Sequence, residues 1–334
     1  MEGMSMLPIS ILDQTPIIKG QTVKEALNHT LELAQLADEL GYTRYFVSEH
    51  HNLKDVVGTS PEILTMYLLD HTKRLRIGSG GVMLQHYHPL KVIEQFHMID
   101  ELSDHRVDLG VGKAPGGFPK VVDILQEELQ KPLPSFNEKF SLLNHLNQRN
   151  FDEASTYHGI RTAHREENNQ PVPIYLLGAS KKSALQAAET KTGIIYAYFI
   201  NSDQSALEEA AEAYHSLYPE GRFIVSIPAV VTADGSQKLP FRFSQRHYEL
   251  LFDSGERIVL NTKQQVEEFK AESTASFEVV EKRMRIISGT KEEVTATLDN
   301  INRSGLIDEW MLHMPVQSHQ LRMNTVKQLA PATS

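Results

Sequence analysis

The chain of 334 residues contains no cysteine, which excludes disulfide scaffolds, thiolate zinc sites, iron–sulfur clusters and cysteine nucleophiles. It has no apolar run near the roughly eighteen residues that span a bilayer. Positive charge is not in excess: 33 Lys+Arg face 43 Asp+Glu, a formal charge of −10. No basic stripe is available to neutralise phosphates, so neither nucleic acid nor an anionic membrane is an expected partner. The opening MEGMSMLPIS lacks a basic region followed by an apolar stretch, so no secretion signal is expected and the cytoplasm is the default location. Neither a Walker sequence nor a GxGxxG dinucleotide fingerprint occurs. Internal repeats and low-complexity tracts are absent too.

What is present is a rhythm of short β-rich runs and amphipathic helices. The runs that read as strands are Pro8–Leu12, Arg44–Ser48, Leu75–Leu84, Arg106–Val111, Pro173–Leu177, Gly193–Phe199, Phe223–Thr232 and Glu309–Met314. Eight strands, most followed by a helical pattern, predict a TIM (β/α)8 barrel with insertions after strands 4 and 7. Thr22 with Glu25 and Thr290 with Glu293 read as capping boxes, and Gly41 reads as a helix-ending C′ glycine. Ser60-Pro61 opens another helix with proline in its first turn. The expected organisation is one barrel domain over 1–334, interrupted roughly at 114–171 and 233–287. The second interruption holds Pro240 and an aromatic-rich stretch around Tyr248–Phe252 that reads as helical. Insertions of this length usually form substrate-side loops or lids. A two-domain doubly wound protein split near residue 150 is the alternative.

In such a barrel the residues just past each strand's carboxyl end form the active face. Those positions hold Asp13-Gln14, Glu49-His50-His51, Gln85-His86-Tyr87-His88, Lys113, Gly178-Ala179-Ser180 and Asn201. His50 at the mouth suits a general base, since an ordinary imidazole titrates near neutrality; a structural histidine bonded to a loop is the equal alternative. Glu49, His50, His51, His86 and His88 could also be read as a metal site. Adjacent strand residues point to opposite faces, however, and no HExxH or defensible third ligand is present, so no metal is expected. Ser180 and Ser183, at the start of the helix after strand five, suit a phosphate, with Ser180 as a plain N-cap the alternative. The helices Pro61–Leu69 and Pro89–Leu102 carry apolar residues on more than one face, which suits a homodimer interface as well as a core.

Taken in order, seven stretches resemble one family. They are SILDQTP (10–16), VSEHHN (47–52), GSGGVML (78–84), HPLKVIEQF (88–96), RVDLGVGKAPG (106–116), PIYLLGAS (173–180) and SGT (288–290). Together they resemble the luciferase-like flavin-dependent oxidoreductases. The resemblance implies a dimeric TIM barrel that binds FMN at the carboxyl ends of its strands. It further implies a monooxygenase in which FMNH2, supplied by a separate flavin reductase, reacts with dioxygen to a C4a-peroxyflavin that oxidises a small organic substrate. His50 falls on the catalytic histidine of that family. Lys113 falls where the family normally has a phosphate-binding arginine, keeping the charge without the bidentate fork. Ala179, Ser180 and Ser183 fall on the remaining phosphate contacts, Ala179 through its backbone N–H alone. A non-proline cis peptide common in the family would fall at Gly80–Gly81, under the flavin. Some branches of the family use the deazaflavin F420 without oxygen, and a non-catalytic flavin-binding protein is a further alternative.

Overall fold

In the computed structural model, the described residues are 7–331 except 130, 164–169, 234–238, 241–245, 254–256, 261 and 284. Eight parallel strands close on themselves: β1 (Ile9–Asp13), β2 (Arg44–Val47), β3 (Arg76–Met83), β4 (Val107–Gly112), β5 (Ile174–Gly178), β6 (Gly193–Ala197), β7 (Phe223–Val231) and β12 (Glu309–His313). Ring closure comes from β6 pairing with β7, β7 with β12 and β12 with β1. A short strand β11 (Ile287–Gly289) pairs in parallel with the carboxyl end of β7, at Ala229–Val231. All eight barrel strands fall within two residues of their sequence-derived limits.

Helix starts follow their capping chemistry. At α1 (Val23–Glu39) the Thr22 hydroxyl accepts the Glu25 N–H while the Glu25 carboxylate accepts the Thr22 N–H. The same reciprocal box opens α9 (Lys291–Ile301) at Thr290 and Glu293. Pro61 begins α2 (Pro61–Asp70), although the Ser60 side chain makes no capping bond. The outward strand faces and the inner helix faces share one apolar core, from Leu33 and Ala37 on α1 to Leu298 on α9.

The barrel interior is layered. Its middle is apolar, built from Leu12, Phe46, Tyr175, Ile195, Ile224 and Met311. Its amino-terminal end is charged. Arg44 donates to Asp108 at 2.9 Å and also to Glu309, which takes further bonds from Ser10 and from Arg222 at 3.0 Å. Arg76 reaches Asp108 from the rim at 2.6 Å. The Arg44 guanidinium lies 5.3 Å from the centre of the Tyr175 ring. Burial alone would lower the Arg44 pKa, but the two carboxylates outweigh it and keep the cation protonated.

The insertion after β4 carries α4 (Pro119–Gln126) and α5 (Phe136–Gln148). The one after β7 differs from expectation. The stretch around Tyr248–Phe252, expected to be helical, lies in β8 (Arg246–Phe252), the centre of an antiparallel sheet with β9 (Arg257–Leu260) and β10 (Phe277–Arg283). The reason is a period of two. Tyr248 and Leu250 pack with Val266 and Phe269 of α8 (Lys263–Glu272), while His247 and Glu249 take the other face. The two insertions touch, with the Phe118 and Phe269 rings 6.2 Å apart and edge-on.

Removing the central cation tests the charged end of the barrel. In Arg44→Met, Asp108 and Glu309 remain buried with one partner fewer. We expect a loss of about 3–5 kcal/mol in denaturant unfolding, typical of breaking a buried ion pair. A loss below 1 kcal/mol would mean that Arg76 and Arg222 suffice.

Candidate functional site

The sequence-derived residues sit on consecutive strands. Val47 pairs with Ser79, Met83 with Gly112, and Gly112 with Leu177. The exits of β2, β4 and β5, which carry His50, Lys113 and Ala179–Ser183, therefore lie around β3, and Gly80–Gly81 lie within β3 itself.

On β3 the ladder to β4 shifts register between Ser79 and Val82, and the Gly80–Gly81 peptide bond across that shift is cis. The Ser79 hydroxyl takes over where the backbone pairing lapses. It donates to the Gly110 carbonyl at 2.7 Å and accepts the Gly110 N–H at 3.0 Å. The strands come so close that a Cβ on Gly110 would lie 2.1 Å from the Ser79 carbonyl oxygen. Leu12, Phe46 and Leu177 pack beneath Gly80 and Gly81. The result is a floor of bare backbone.

One wall is organised by Glu49, which is fully buried. Its carboxylate accepts the Met83 N–H at 2.9 Å and the Tyr87 hydroxyl at 2.7 Å, and pairs with His51 Nε2 at 2.7 Å. His50, half-buried, faces elsewhere. Its N–H donates to the Gly58 carbonyl at 2.7 Å, and its Nδ1 lies 3.1 Å from the Ser48 hydroxyl. That contact orients the ring and sets Nδ1 against a hydroxyl that can donate or accept, so either tautomer is accommodated.

His86 donates from Nε2 to the Pro115 carbonyl at 2.7 Å and accepts at Nδ1 from Gln126 at 3.1 Å. Both nitrogens are engaged, and burial lowers its pKa. His88 caps α3 (Pro89–Leu102) by accepting the Leu90 N–H at 3.2 Å. Among the described residues, Glu49 and these histidines form no group of three whose ligand-capable atoms all lie within 4.8 Å of one another.

Asp13 also departs from the active-face reading, because its side chain turns outward between helices. It accepts from Tyr45 at 2.6 Å, Thr30 at 2.8 Å, the Thr15 N–H at 3.0 Å and Arg322 of α10 (His319–Gln328) at 2.6 Å. Burial raises its pKa, but Arg322 and these donors outweigh burial and hold the carboxyl below its ordinary range.

At the exit of β5, Ser180 is the N-cap of α6 (Lys181–Glu189), its hydroxyl accepting the Ser183 N–H at 3.2 Å and lying 3.0 Å from the Ser183 hydroxyl. Gly178 permits the tight turn: a Cβ there would fall 2.3 Å from that of Ser183. Among the described residues the N–H groups of Lys181 and Lys182 have no acceptor, as expected in a first helical turn. Lys113, Lys181 and Lys182 are exposed and form no ion pair among the described residues. Two orphan donors, two hydroxyls and three ammonium groups fit a phosphate. The bare backbone floor beside them fits a flat ring. Sequence reading placed Tyr87 among the strand-exit residues without giving it a role, and missed Ser48 and Ser79. Ser79 had a signal in the Gly-Ser-Gly-Gly run, but nothing local marked Ser48.

Comparison with known proteins gives the chain's family and fold. The chain is 37% identical over 317 residues to the N-acetyl-S-alkylcysteine monooxygenase of Bacillus subtilis (strain 168), covering 94% of each. Among solved structures it superposes on apo-MsnO8 with a TM-score of 0.75 and 25% identity, covering 97% of each chain. The oxygenating constituent of the Pseudomonas putida 3,6-diketocamphane monooxygenase, solved with FMN, shares the fold at a TM-score of 0.65 and 13% identity, covering 97% of this chain and 96% of that one. A luciferase-like monooxygenase family model matches residues 7–306, and the chain belongs to that family of oxygen-incorporating oxidoreductases.

Proposed function

We propose that this protein is a flavin-dependent monooxygenase that takes reduced FMN from a separate flavin reductase and uses dioxygen to oxidise a small organic substrate. The observation that carries the reading is the adjacency of three strand exits, bearing a half-buried histidine, a lone lysine and a capped helix start, to the side-chain-free backbone of Gly80–Gly81 within β3. Lys113, Ser180, Ser183 and the first N–H groups of α6, with that of Ala179 before them, bind the flavin phosphate. Gly80 and Gly81 leave room for the ring, and His50 stands at its edge to hold or move a proton through its imidazole. When bound, the flavin supplies the oxygen chemistry; the protein supplies position, charge and a water-poor cavity. The lack of a dinucleotide fingerprint in the sequence supports a separate reductase as the source of reduced flavin. The name of the Bacillus subtilis relative makes an N-acetylated S-alkylcysteine the first substrate class to assay.

Anaerobic thermal unfolding with reduced FMN tests the cofactor. At a hundredfold excess over Kd, binding adds about 2.7 kcal/mol of stability. We expect stabilisation by reduced FMN and, in air with an N-acetyl-S-alkylcysteine, consumption of thioether and oxygen in equal amounts. Stabilisation by F420 alone would move the protein to the oxygen-independent branch. Lys113→Ala should weaken reduced FMN binding by roughly tenfold to a hundredfold, the ~1.5–3 kcal/mol of a hydrogen bond to a charged group. His50→Ala should bind reduced FMN like the parent and lose turnover; normal turnover would remove His50 from the mechanism.

We also propose a homodimer through α2 and α3. Ile63 (68% exposed), Tyr67 (39%), Met98 (53%) and Leu102 (62%) leave an apolar surface there, of the kind that marks association. Sedimentation of Met98→Glu/Leu102→Asp should give a species of 37.7 kDa where the parent gives twice that mass. A monomeric parent at micromolar concentration would refute the dimer.

A further inference from the structure

Away from the flavin site, His29 and Glu32 of α1 meet His319 of α10, with one ligand-capable atom from each lying within 4.8 Å of the others. We propose that these three residues bind a divalent transition-metal ion of the zinc, cobalt or nickel class, clasping the first helix of the barrel to the last. Two imidazoles and one carboxylate select such ions over calcium and magnesium, which prefer all-oxygen shells. His29 and Glu32 stand three residues apart and share one helical face, and His319 opens α10 opposite them.

The backbones of the ligands are already fixed. Asp13 bonds Thr30, next to His29, and Arg322, one turn beyond His319. This buried anchor sets the spacing between α1 and α10 before any ion binds, which limits the ordering cost of binding. The side chains are poised without being locked. His319 Nε2 lies 2.8 Å from Glu32 Oε2, the bond that an ion would replace. His319 Nδ1 is buried and has no hydrogen-bond partner, so it can carry the ring proton once Nε2 turns to the metal. Burial is the largest cause lowering the His319 pKa, with His29 and Arg322 acting the same way against Glu32; neutral imidazole is the form that ligates.

Two adjustments are required. The His29 and His319 rings are stacked 3.8 Å apart and 5° from parallel, so their in-plane lone pairs run side by side. A turn of His319 about its Cβ–Cγ bond makes them converge. Gln21 holds His29 Nδ1 at 3.1 Å while accepting the Ile18 N–H at 3.2 Å, and its carboxamide must turn to accept a proton from Nδ1 when Nε2 ligates. Neither movement disturbs the Asp13 anchor.

The test uses tag-free, chelator-treated full-length protein. Zinc is titrated against a chromophoric competitor near neutral pH, and thermal unfolding is recorded with and without zinc. We expect saturable binding of one ion per chain and a higher unfolding temperature with zinc. His319→Ala and Glu32→Gln should each lower zinc affinity by more than the roughly tenfold lost with an outer-shell partner, and should abolish the thermal shift. Glu32 is exposed, so Glu32→Gln without zinc should unfold like the parent. Cobalt in place of zinc should show a visible absorption band that disappears in His319→Ala. Absence of saturable binding, or binding unchanged in both variants, would overturn the site.

Discussion

A single guanidinium at the amino-terminal end of the barrel sets the terms for the rest of the structure. Arg44 bridges Asp108 on β4 and Glu309 on β12 across the interior, beside the face of Tyr175. An interior of eight strands must be filled by side chains, and burying ions to fill it is costly unless each is paired. Here two carboxylates are shared among Arg44, Arg76 and Arg222, with Ser10 completing the set. Above this plug sits one apolar layer, which includes the edge-on pair Phe46 and Tyr175 at 5.9 Å. With the lower interior occupied, the upper end is free to be lined by glycine and polar groups.

The upper end depends on two substitutions of side chain for backbone. The Ser79 hydroxyl replaces ladder bonds where β3 departs from β4, so the floor can deviate locally without orphaning a buried N–H or carbonyl. Glu49 does the same for the wall by accepting the Met83 N–H along with Tyr87 and His51. The first insertion is then fastened to that wall. His51 donates its N–H to the Gly116 carbonyl and His86 donates to Pro115. The Lys139 ammonium bonds the carbonyls of Gln85 and Tyr87 at 2.8 and 2.9 Å. These side-chain bonds of Ser79, Glu49, His51, His86 and Lys139 tie together the strands and loops whose exits carry His50 and Lys113.

The barrel was legible in the sequence because parallel strands buried on both faces read as apolar runs, and capping boxes mark helix starts within a residue. The cluster at the strand exits was legible for the same reason: topology alone brings successive exits together. Three features were not. Asp13 follows β1 where an active-face residue belongs, yet Arg322, distant in sequence, draws it outward, and no local pattern encodes that pairing. Arg44, Asp108 and Glu309 begin strands that look amphipathic in isolation; their convergence appears only when the barrel closes. His247-Tyr248-Glu249-Leu250 alternates with period two, but Leu251 and Phe252 extend the apolar run and blur strand into helix.

On the proposed reading the same architecture assigns substrate discrimination. The floor at Gly80 and Gly81 is bare backbone, which presents no side chain by which one substrate could be told from another. On that reading the strand exits serve the phosphate and His50, which leaves selectivity to the two insertions that meet at Phe118 and Phe269. A wall fastened on one side by backbone carbonyls and on the other by an aromatic contact can change its side chains without moving the floor. A common oxygen-activating base can in this way be joined to different substrates by altering the insertions alone.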